Sequence, residues 1–329
     1  MKICIIGGSG HYRYALEGME MDPDMSLVGI APGSEGESLE GLEEAVAKLD
    51  MHPKRYDDYI TMLDKEKPDI AVVNPYFCDN SRVAIDVIER GIHAFVEKPL
   101  ATDLDDLEKL KSVYSKSNVY LAAMFGIRYT AHFKTAWEAV KQGRIGKVRL
   151  MTAQKSYRLG KRSDFYKKRK TYGGTIPWVG SHAIDWLSWF SGEKFQSVYA
   201  AHSSLYNRGH GDLEVSALCL FKFSNEVMGS VNIDYLRPEN APSHDDDRIR
   251  VAGTRGVIEV CQNKVCLIND EEMGIQELDL LPEGQIFKDF VAQIKGEGDC
   301  MVTDIDSFKV TEACLKARMS ADMGKIIEF

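Results

Sequence analysis

The chain begins Met1-Lys2-Ile3-Cys4-Ile5-Ile6-Gly7-Gly8-Ser9-Gly10-His11-Tyr12, and how its glycines are read decides the fold of the first domain. The apolar run Ile3–Ile6 predicts a buried strand, the glycine cluster a tight turn, and a helix begins from about Tyr12. Strand, glycine turn and helix are how a dinucleotide-binding unit begins, yet the spacing G-x-G-x-x-G does not fit. Counted from Gly7, the second glycine is Ser9 and the third is Tyr12; counted from Gly8, the third is Arg13. Gly7 keeps the tight turn, and Ser9 is the smallest replacement for the second glycine, with a hydroxyl to offer a phosphate oxygen. Gly8 and Gly10 leave the backbone free to aim amides at an anion. Tyr12 takes the place of the packing glycine and shifts the helix start. The expected cradle is Gly7, Gly8, Ser9, Gly10, His11 and Tyr12.

Strand and helix signals alternate outward from this stretch. Leu27–Ala31, Ile70–Val73, His93–Val96 and Val119–Met124 read as strands; Gly41–Leu49 and Asp57–Lys65 read as helices. Asn80 or Ser81 is the expected cap of a helix with Val83, Ala84, Val87 and Ile88 on one face. Thr102, with Asp105 three residues on, is the expected cap of the next. Such alternation argues a doubly wound parallel sheet. After Met124 long strand patterns dominate: Lys147–Ala153, Ser197–His202, Val215–Phe223, Glu226–Asp234, Arg248–Ala252, Gly256–Cys261 and Lys264–Ile268, with helices at His132–Gln142 and Ser181–Phe190 and two more at the end. The expected fold is α/β: an N-terminal doubly wound parallel sheet over 1–122, and an α+β domain with a large, mostly antiparallel open sheet over 123–329.

Bulk properties narrow the function classes. With 44% hydrophobic and 28% charged residues, 329 residues give two ordinary globular domains. The apolar runs are too short to span a membrane, and nothing resembles a signal peptide. Seven scattered cysteines without a C-x-x-C pair read as thiols of a reducing cytoplasm rather than as disulfides or a metal site. Net charge is −9, which argues against nucleic acid. Lys155–Lys170 is an exception at +7, interleaved with Tyr157, Phe165 and Tyr166. That island suits an anionic sugar or a solvated, subunit-contact loop. His244 and Asp245-Asp246-Asp247 look superficially like metal ligands, but consecutive acids seldom converge on an ion, so a solvated loop is expected.

Glu97-Lys98-Pro99-Leu100-Ala101 follows the strand His93–Val96, where strand ends face the ligand crevice. Together with the glycine-rich start, it resembles the glucose–fructose oxidoreductase / inositol dehydrogenase (Gfo/Idh/MocA) family. Ordered matches run along the whole chain: Arg128-Tyr129, Gly143–Val148, Gly173–Asp185, Asp247–Val260 and Ala321–Lys325. The resemblance implies a Rossmann domain holding NAD, a second domain that binds substrate and oligomerises, and a secondary hydroxyl of a sugar or cyclitol as the reacting group. It implies that Lys98 and His182 handle the hydroxyl proton. Asp185, one helical turn past His182, would orient the imidazole or hold a substrate hydroxyl. Further substrate contacts are expected from Arg128, Tyr157, Arg158 and Trp178, and further cofactor contacts from Ser34, Asn74, Pro75, Glu97 and Lys98. The open sheet implies a homodimer or homotetramer.

The departures from the family matter as much. Trp178 stands where an aspartate usually lies four residues before the histidine, and an indole exchanges no proton. Asp79 takes the place of a histidine four residues after Pro75. Pro32 replaces the usual acid for the ribose hydroxyls, leaving Ser34 or Glu35 as substitutes. No cation lies between Arg13 and Lys48, so NAD is favoured over NADP. Three functions are consistent with these residues: an NAD-dependent dehydrogenase; an enzyme that retains NAD and cleaves glycosides by oxidation and elimination; and a non-catalytic sensor of sugar or dinucleotide.

Overall fold

The alternation of apolar runs with helix starts is realised as two sheets, and the computed structural model describes residues 1–329. Two compact units form. One comprises Met1–Gly126, Lys170–Gly173 and Gln285–Thr311; the other Ile127–Arg169, Gly174–Gly284 and Glu312–Phe329.

In chain order the first unit contains β1 (Lys2–Ile6), α1 (Arg13–Glu20), β2 (Ser26–Ala31), α2 (Glu40–Lys48), β3 (Lys54–Arg55), α3 (Tyr59–Glu66), β4 (Ile70–Val73), α4 (Asn80–Ile88), β5 (His93–Val96), α5 (Leu104–Tyr114) and β6 (Leu121–Ala123). The sheet order is β3-β2-β1-β4-β5-β6, with every pair parallel. Central strands of such a sheet are covered on both faces, which is why Ile3–Ile6 and Ile70–Val73 are continuous apolar runs and fully buried. The strand order reverses between β1 and β4. That switch point opens a crevice beyond Gly7 and Asn74, and ligands of doubly wound sheets bind there.

Two helix caps differ from expectation. Asp103, not Thr102, caps α5, its carboxylate accepting the Asp106 N–H at 2.9 Å. Asp79 occupies the cap position of α4, and Asn80 uses its side chain elsewhere. Hydroxyl, carboxylate and amide are near-equal caps on sequence grounds, so backbone trajectory decides among neighbours.

The remaining elements are α6 (Ala131–Lys141), β7 (Val148–Arg158), a short α7 (Arg169–Tyr172), α8 (Ser181–Ser191), β8 (Phe195–Ser203), β9 (Ser216–Phe223), β10 (Met228–Arg237), β11 (Asp245–Gly253), β12 (Gly256–Cys261), β13 (Lys264–Asn269), β14 (Gln276–Glu277), α9 (Ile286–Lys295), α10 (Asp304–Met323) and β15 (Ile327–Glu328). The second sheet runs β14-β13-β12-β11-β7-β10-β9-β8-β15 and is antiparallel except between β7 and β10. Alternation sets its two faces. On β9, Cys219, Phe221 and Phe223 point to the core while Leu218 and Leu220 are exposed. Trp186 packs on Phe133 with ring centroids 4.2 Å apart, and Trp189 stacks on Trp137 at 4.8 Å, so this aromatic cluster is core.

Two strands are longer than the sequence implied. β7 continues to Arg158, and β11 starts at Asp245, so the acidic run is a strand and not a solvated loop. In both, inward positions carry charges that hide the apolar alternation.

The helix α9 belongs to the first unit: Phe287 is fully buried, edge-on to Phe95 at 5.2 Å and against Gly18. Phe287→Ala should lower stability by about 3–5 kcal/mol. Urea unfolding within 1 kcal/mol of the parent (roughly the scale of a surface change) would show that α9 is dispensable.

Candidate active site

The glycine turn is woven between two strand ends. Gly7 has φ +82°, and its N–H donates to Ala31 O at 2.8 Å; Ser9 N–H donates to Asn74 O at 2.9 Å. A Cβ at Gly7 would run into the Asn74 carbonyl and Pro75 nitrogen, so only glycine fits. Gly10 is a glycine for another reason. A Cβ there would collide with the carboxylate of Glu97 and approach Asn74 Oδ1 to 2.7 Å.

Glu97 joins that loop to the lysine. Its side chain is 0% exposed. Its carboxylate accepts the His11 backbone N–H, lies 2.8 Å from His11 Nδ1, and accepts the Lys98 N–H at 2.8 Å. Burial alone would raise this carboxyl; His11, by charge and hydrogen bonds, and Lys98 outweigh burial and hold it below its usual value. Asn80 grips the same turn from behind, its Nδ2 donating to Glu97 O at 2.9 Å and Pro99 O at 2.8 Å. Lys98, 1% exposed and followed by a cis peptide to Pro99, is thus held at the crevice end of β5. Nothing in the local sequence signals this role of Asn80, which reads there as a helix cap.

Glu37 is the acid that sequence reasoning missed. Its carboxylate collects the Gly8 N–H at 3.0 Å, the Ser9 hydroxyl, the Gly33 N–H at 3.0 Å and the Ser34 N–H at 3.2 Å. Burial pushes it above the ordinary carboxylate value despite these donors. Glu35 is exposed, and the Ser34 hydroxyl donates to Asp79 at 2.6 Å while accepting the Tyr76 N–H at 3.0 Å. The signal was Gly36, whose φ of +70° turns the chain back toward the loop.

These residues fit a dinucleotide. Gly8 and Ser9 converge their donors on an anionic group, here the chain's own. Asn74, fully buried at the switch point, has neither Oδ1 nor Nδ2 hydrogen-bonded within the protein. A buried amide with both ends unpaired is costly unless a ligand completes it.

In the second unit, His182 is the second residue of α8 and 1% exposed. A π-helical turn, Ile176–Gly180, delivers it, and Ser181 Oγ donates to Trp178 O at 2.8 Å across that junction. Extra residues in a helical turn re-aim the helix beyond it, which is why such turns recur at functional sites. Trp178 lies buried in the turn, edge-on to Tyr166. Arg128 and Asp185, both expected near substrate, are brought to each other: Nε–Oδ2 2.9 Å and Nη2–Oδ1 2.5 Å, each side chain 1% exposed. The guanidinium also lies over Trp189 at 5.3 Å.

Tyr157 stacks on His244 at 4.8 Å, and Arg158 donates to Ala241 O. The basic island is largely engaged within its own unit. Lys155 pairs with Asp247, Lys167 with Asp164, Arg169 with Glu214 and Asp322, and Arg162 lies over Tyr235 at 4.9 Å. Lys161 and Lys170 remain exposed. A loop so internally paired offers less free charge to an anion than +7 implies.

A parallel sheet with a glycine turn at its switch point defines a dinucleotide-binding protein with an appended open-sheet domain, and comparison narrows this to a family. Residues 1–125 match the oxidoreductase family with an NAD-binding Rossmann fold, and residues 133–259 the GFO/IDH/MocA C-terminal domain. A Thermotoga maritima structure assigned as an oxidoreductase is 55% identical, with TM-score 0.97 and 100% of both chains covered. Myo-inositol 2-dehydrogenase of the same organism is 26% identical over 261 residues, 78% of this chain and 74% of that protein. Glycosyl hydrolase family 109 protein 2 of Akkermansia muciniphila is 27% identical over 150 residues, 44% of this chain and 32% of that protein's length. The chain belongs to the Gfo/Idh/MocA oxidoreductase family, and its first 125 residues are an NAD-binding Rossmann domain. No helix is long and apolar enough to cross a membrane.

Gly10→Ala should push Glu97 off the loop and weaken NAD binding about tenfold or more, the scale of one lost charge-assisted hydrogen bond. Calorimetric titration giving parent-like affinity would show that the loop does not depend on this approach.

Proposed function

We propose that this protein is an NAD-dependent dehydrogenase acting on a secondary hydroxyl of a sugar, cyclitol or derivative, with residues 1–122 serving the cofactor and 123–329 the substrate and subunit contacts. The observation that supports it most is the buried Lys98, locked through Glu97 to the loop that faces the dinucleotide. Gly7, Gly8, Ser9, Gly10, His11, Tyr12, Asn74 and Pro75 would hold NAD. When bound, the nicotinamide gives or takes the hydride. His182 takes the hydroxyl proton during oxidation and returns it during reduction, while Lys98 donates a hydrogen bond to the hydroxyl oxygen. Glu37 favours NAD over NADP, because a carboxylate among those loop amides accepts ribose hydroxyls and repels a 2′-phosphate.

Two observations favour a second reading. Trp178 removes the carboxylate expected beside His182, and the Akkermansia relative is named a glycosyl hydrolase. On that reading NAD stays bound, oxidises a glycoside transiently and recovers its hydride, with release of free sugar and no net redox change. Lys98→Met and His182→Ala should each slow turnover by about 10²–10⁴ with the fold intact. Parent-like rates in both would end the assignment. Accumulation of NADH identifies the dehydrogenase; sugar release without it identifies the glycosidase.

The exposed face of the second sheet supports self-association. Leu150, Tyr199, Leu218, Leu220 and Met228 stand exposed on four adjacent strands, and register places Leu220 between Tyr199 and Ser230, and Met228 beside Leu150. We expect a homodimer or homotetramer through this face. Sedimentation should give a mass of at least two chains, falling to one in Leu218→Asp/Leu220→Asp; a parent that sediments as one chain would refute it.

A further inference from the structure

We propose that Glu214, the residue that leads into β9, is a positioning residue for His182: it clamps the turn that delivers the imidazole. The role rests on the reading of His182 as the residue that handles the hydroxyl proton, and it names what holds that residue in place. Glu214 lies in the second unit, apart in sequence from the glycine loop, the Glu97 turn and α8.

The turn has little of its own to fix it. The chain enters through Gly173 and Gly174, with φ +84° and +111°, conformations that glycine alone adopts freely. The π-helical segment Ile176–Gly180 follows, with no side-chain cap at its start. Packing seats its far end, where a Cβ at Gly180 would run into Ile233 of β10. The near end is the fully buried Thr175, and Glu214 takes both its amide and its hydroxyl. The Thr175 N–H donates to Glu214 Oε2 at 3.0 Å, and the Thr175 hydroxyl donates to Glu214 O at 2.7 Å. From there the Trp178 N–H donates to Gly174 O at 3.1 Å, and Ser181 Oγ donates to Trp178 O at 2.8 Å, one residue before His182. A displacement at Thr175 is therefore passed to the start of α8.

The clamp is itself anchored. Glu214 is buried, and a charge out of water persists only where partners surround it. Its Oε1 pairs with Arg169 and lies 3.7 Å from His202 Nδ1. Asp322, in the last turn of α10, holds both of these: Arg169 Nη1 donates to its two oxygens at 3.1 Å, and His202 Nε2 lies 3.3 Å from Oδ1. The Val215 N–H donates to Ser203 O at 2.8 Å, which ties the backbone after Glu214 to β8. One carboxylate oxygen thus serves the turn and the other the anchor. Thr175 N–H and the guanidinium are both donors, so only a carboxylate, which accepts on both oxygens, satisfies the two at once. Misplacing a reacting group by about 1 Å costs on the order of 10²-fold in rate, so a clamp on this turn bears on the chemistry without touching the substrate.

The test reads the imidazole directly and needs no substrate. In the full chain, isotope-labelled at histidine Cε1, His182→Gln identifies the His182 resonance among the eight histidines. Glu214→Ala should move that resonance by more than its linewidth. Thr175→Val, which keeps the shape of the side chain and removes its donor, should move it too, while the His202 signal beside the intact carboxylate stays in place. Thr175→Ser, which restores the hydroxyl, should return the His182 signal to its parent position. Calorimetric affinity for NAD should stay within about twofold of the parent in every variant, as for independent sites. A His182 signal unmoved in Thr175→Val, one displaced as far in Thr175→Ser as in Thr175→Val, or NAD affinity lost together with the signal would each overturn the proposal. Should Glu214→Ala not fold, the two Thr175 variants decide. The resonance is independent of turnover, so failure of this clamp and failure of the catalytic reading appear in different measurements.

Discussion

A single buried carboxylate organises the first unit's functional end. Glu97 is removed from water, and a charge in that position persists only if donors surround it. His11 and the Lys98 amide supply them. The dependence runs both ways. The carboxylate needs the glycine loop to approach closely, which is why position 10 has no side chain, and the loop needs the carboxylate to fix its exit into α1. Lys98 inherits its place from that exchange, with Asn80 holding the two flanking carbonyls.

The second unit obeys the same rule with different partners. Arg128 with Asp185, and Lys155 with Asp247, are ion pairs taken out of solvent. Losing one partner of such a pair leaves an uncompensated charge, so each member depends on the other far more than the pair depends on its absolute strength. The Arg128 guanidinium also packs on Trp189, which ties helix α8 to the segment entering α6. His182 therefore sits at the start of a helix whose next turn is clamped, after a π-helical turn that carries Trp178 where a proton-exchanging acid is expected.

Charge in this sequence is a poor guide to charge on the surface. The basic island reads as an electropositive patch, but Lys155, Arg162, Lys167 and Arg169 are engaged within the fold, and the acidic run after His244 supplies one of those partners. Clusters of opposite sign far apart in the chain neutralise one another because two strands lie side by side. Periodicity hides the match, since inward positions of β7 and β11 carry Lys155, Tyr157 and Asp247 in place of aliphatic residues.

The architecture and the cofactor unit are legible in the sequence alone. Continuous apolar runs ending at Gly7, Asn74 and Glu97 can only be strands buried on both faces, and such strands with helices between them form one kind of sheet. Lys98 and His182 are picked out by the family resemblance, and both are buried, Lys98 just past β5 and His182 in the first turn of α8. Tertiary structure decided what depends on distance through space. Asp185 faces Arg128, Asn80 abandons the helix cap for a turn seventeen residues away, and Glu37, just beyond Gly36, is the acid that reaches the glycine loop where Ser34 or Glu35 was expected to stand in for the ribose acceptor. The physical reason is common to all three. A polar side chain is satisfied by whichever donor or acceptor folding brings within about 3 Å, and neighbours in sequence do not reveal which one that will be.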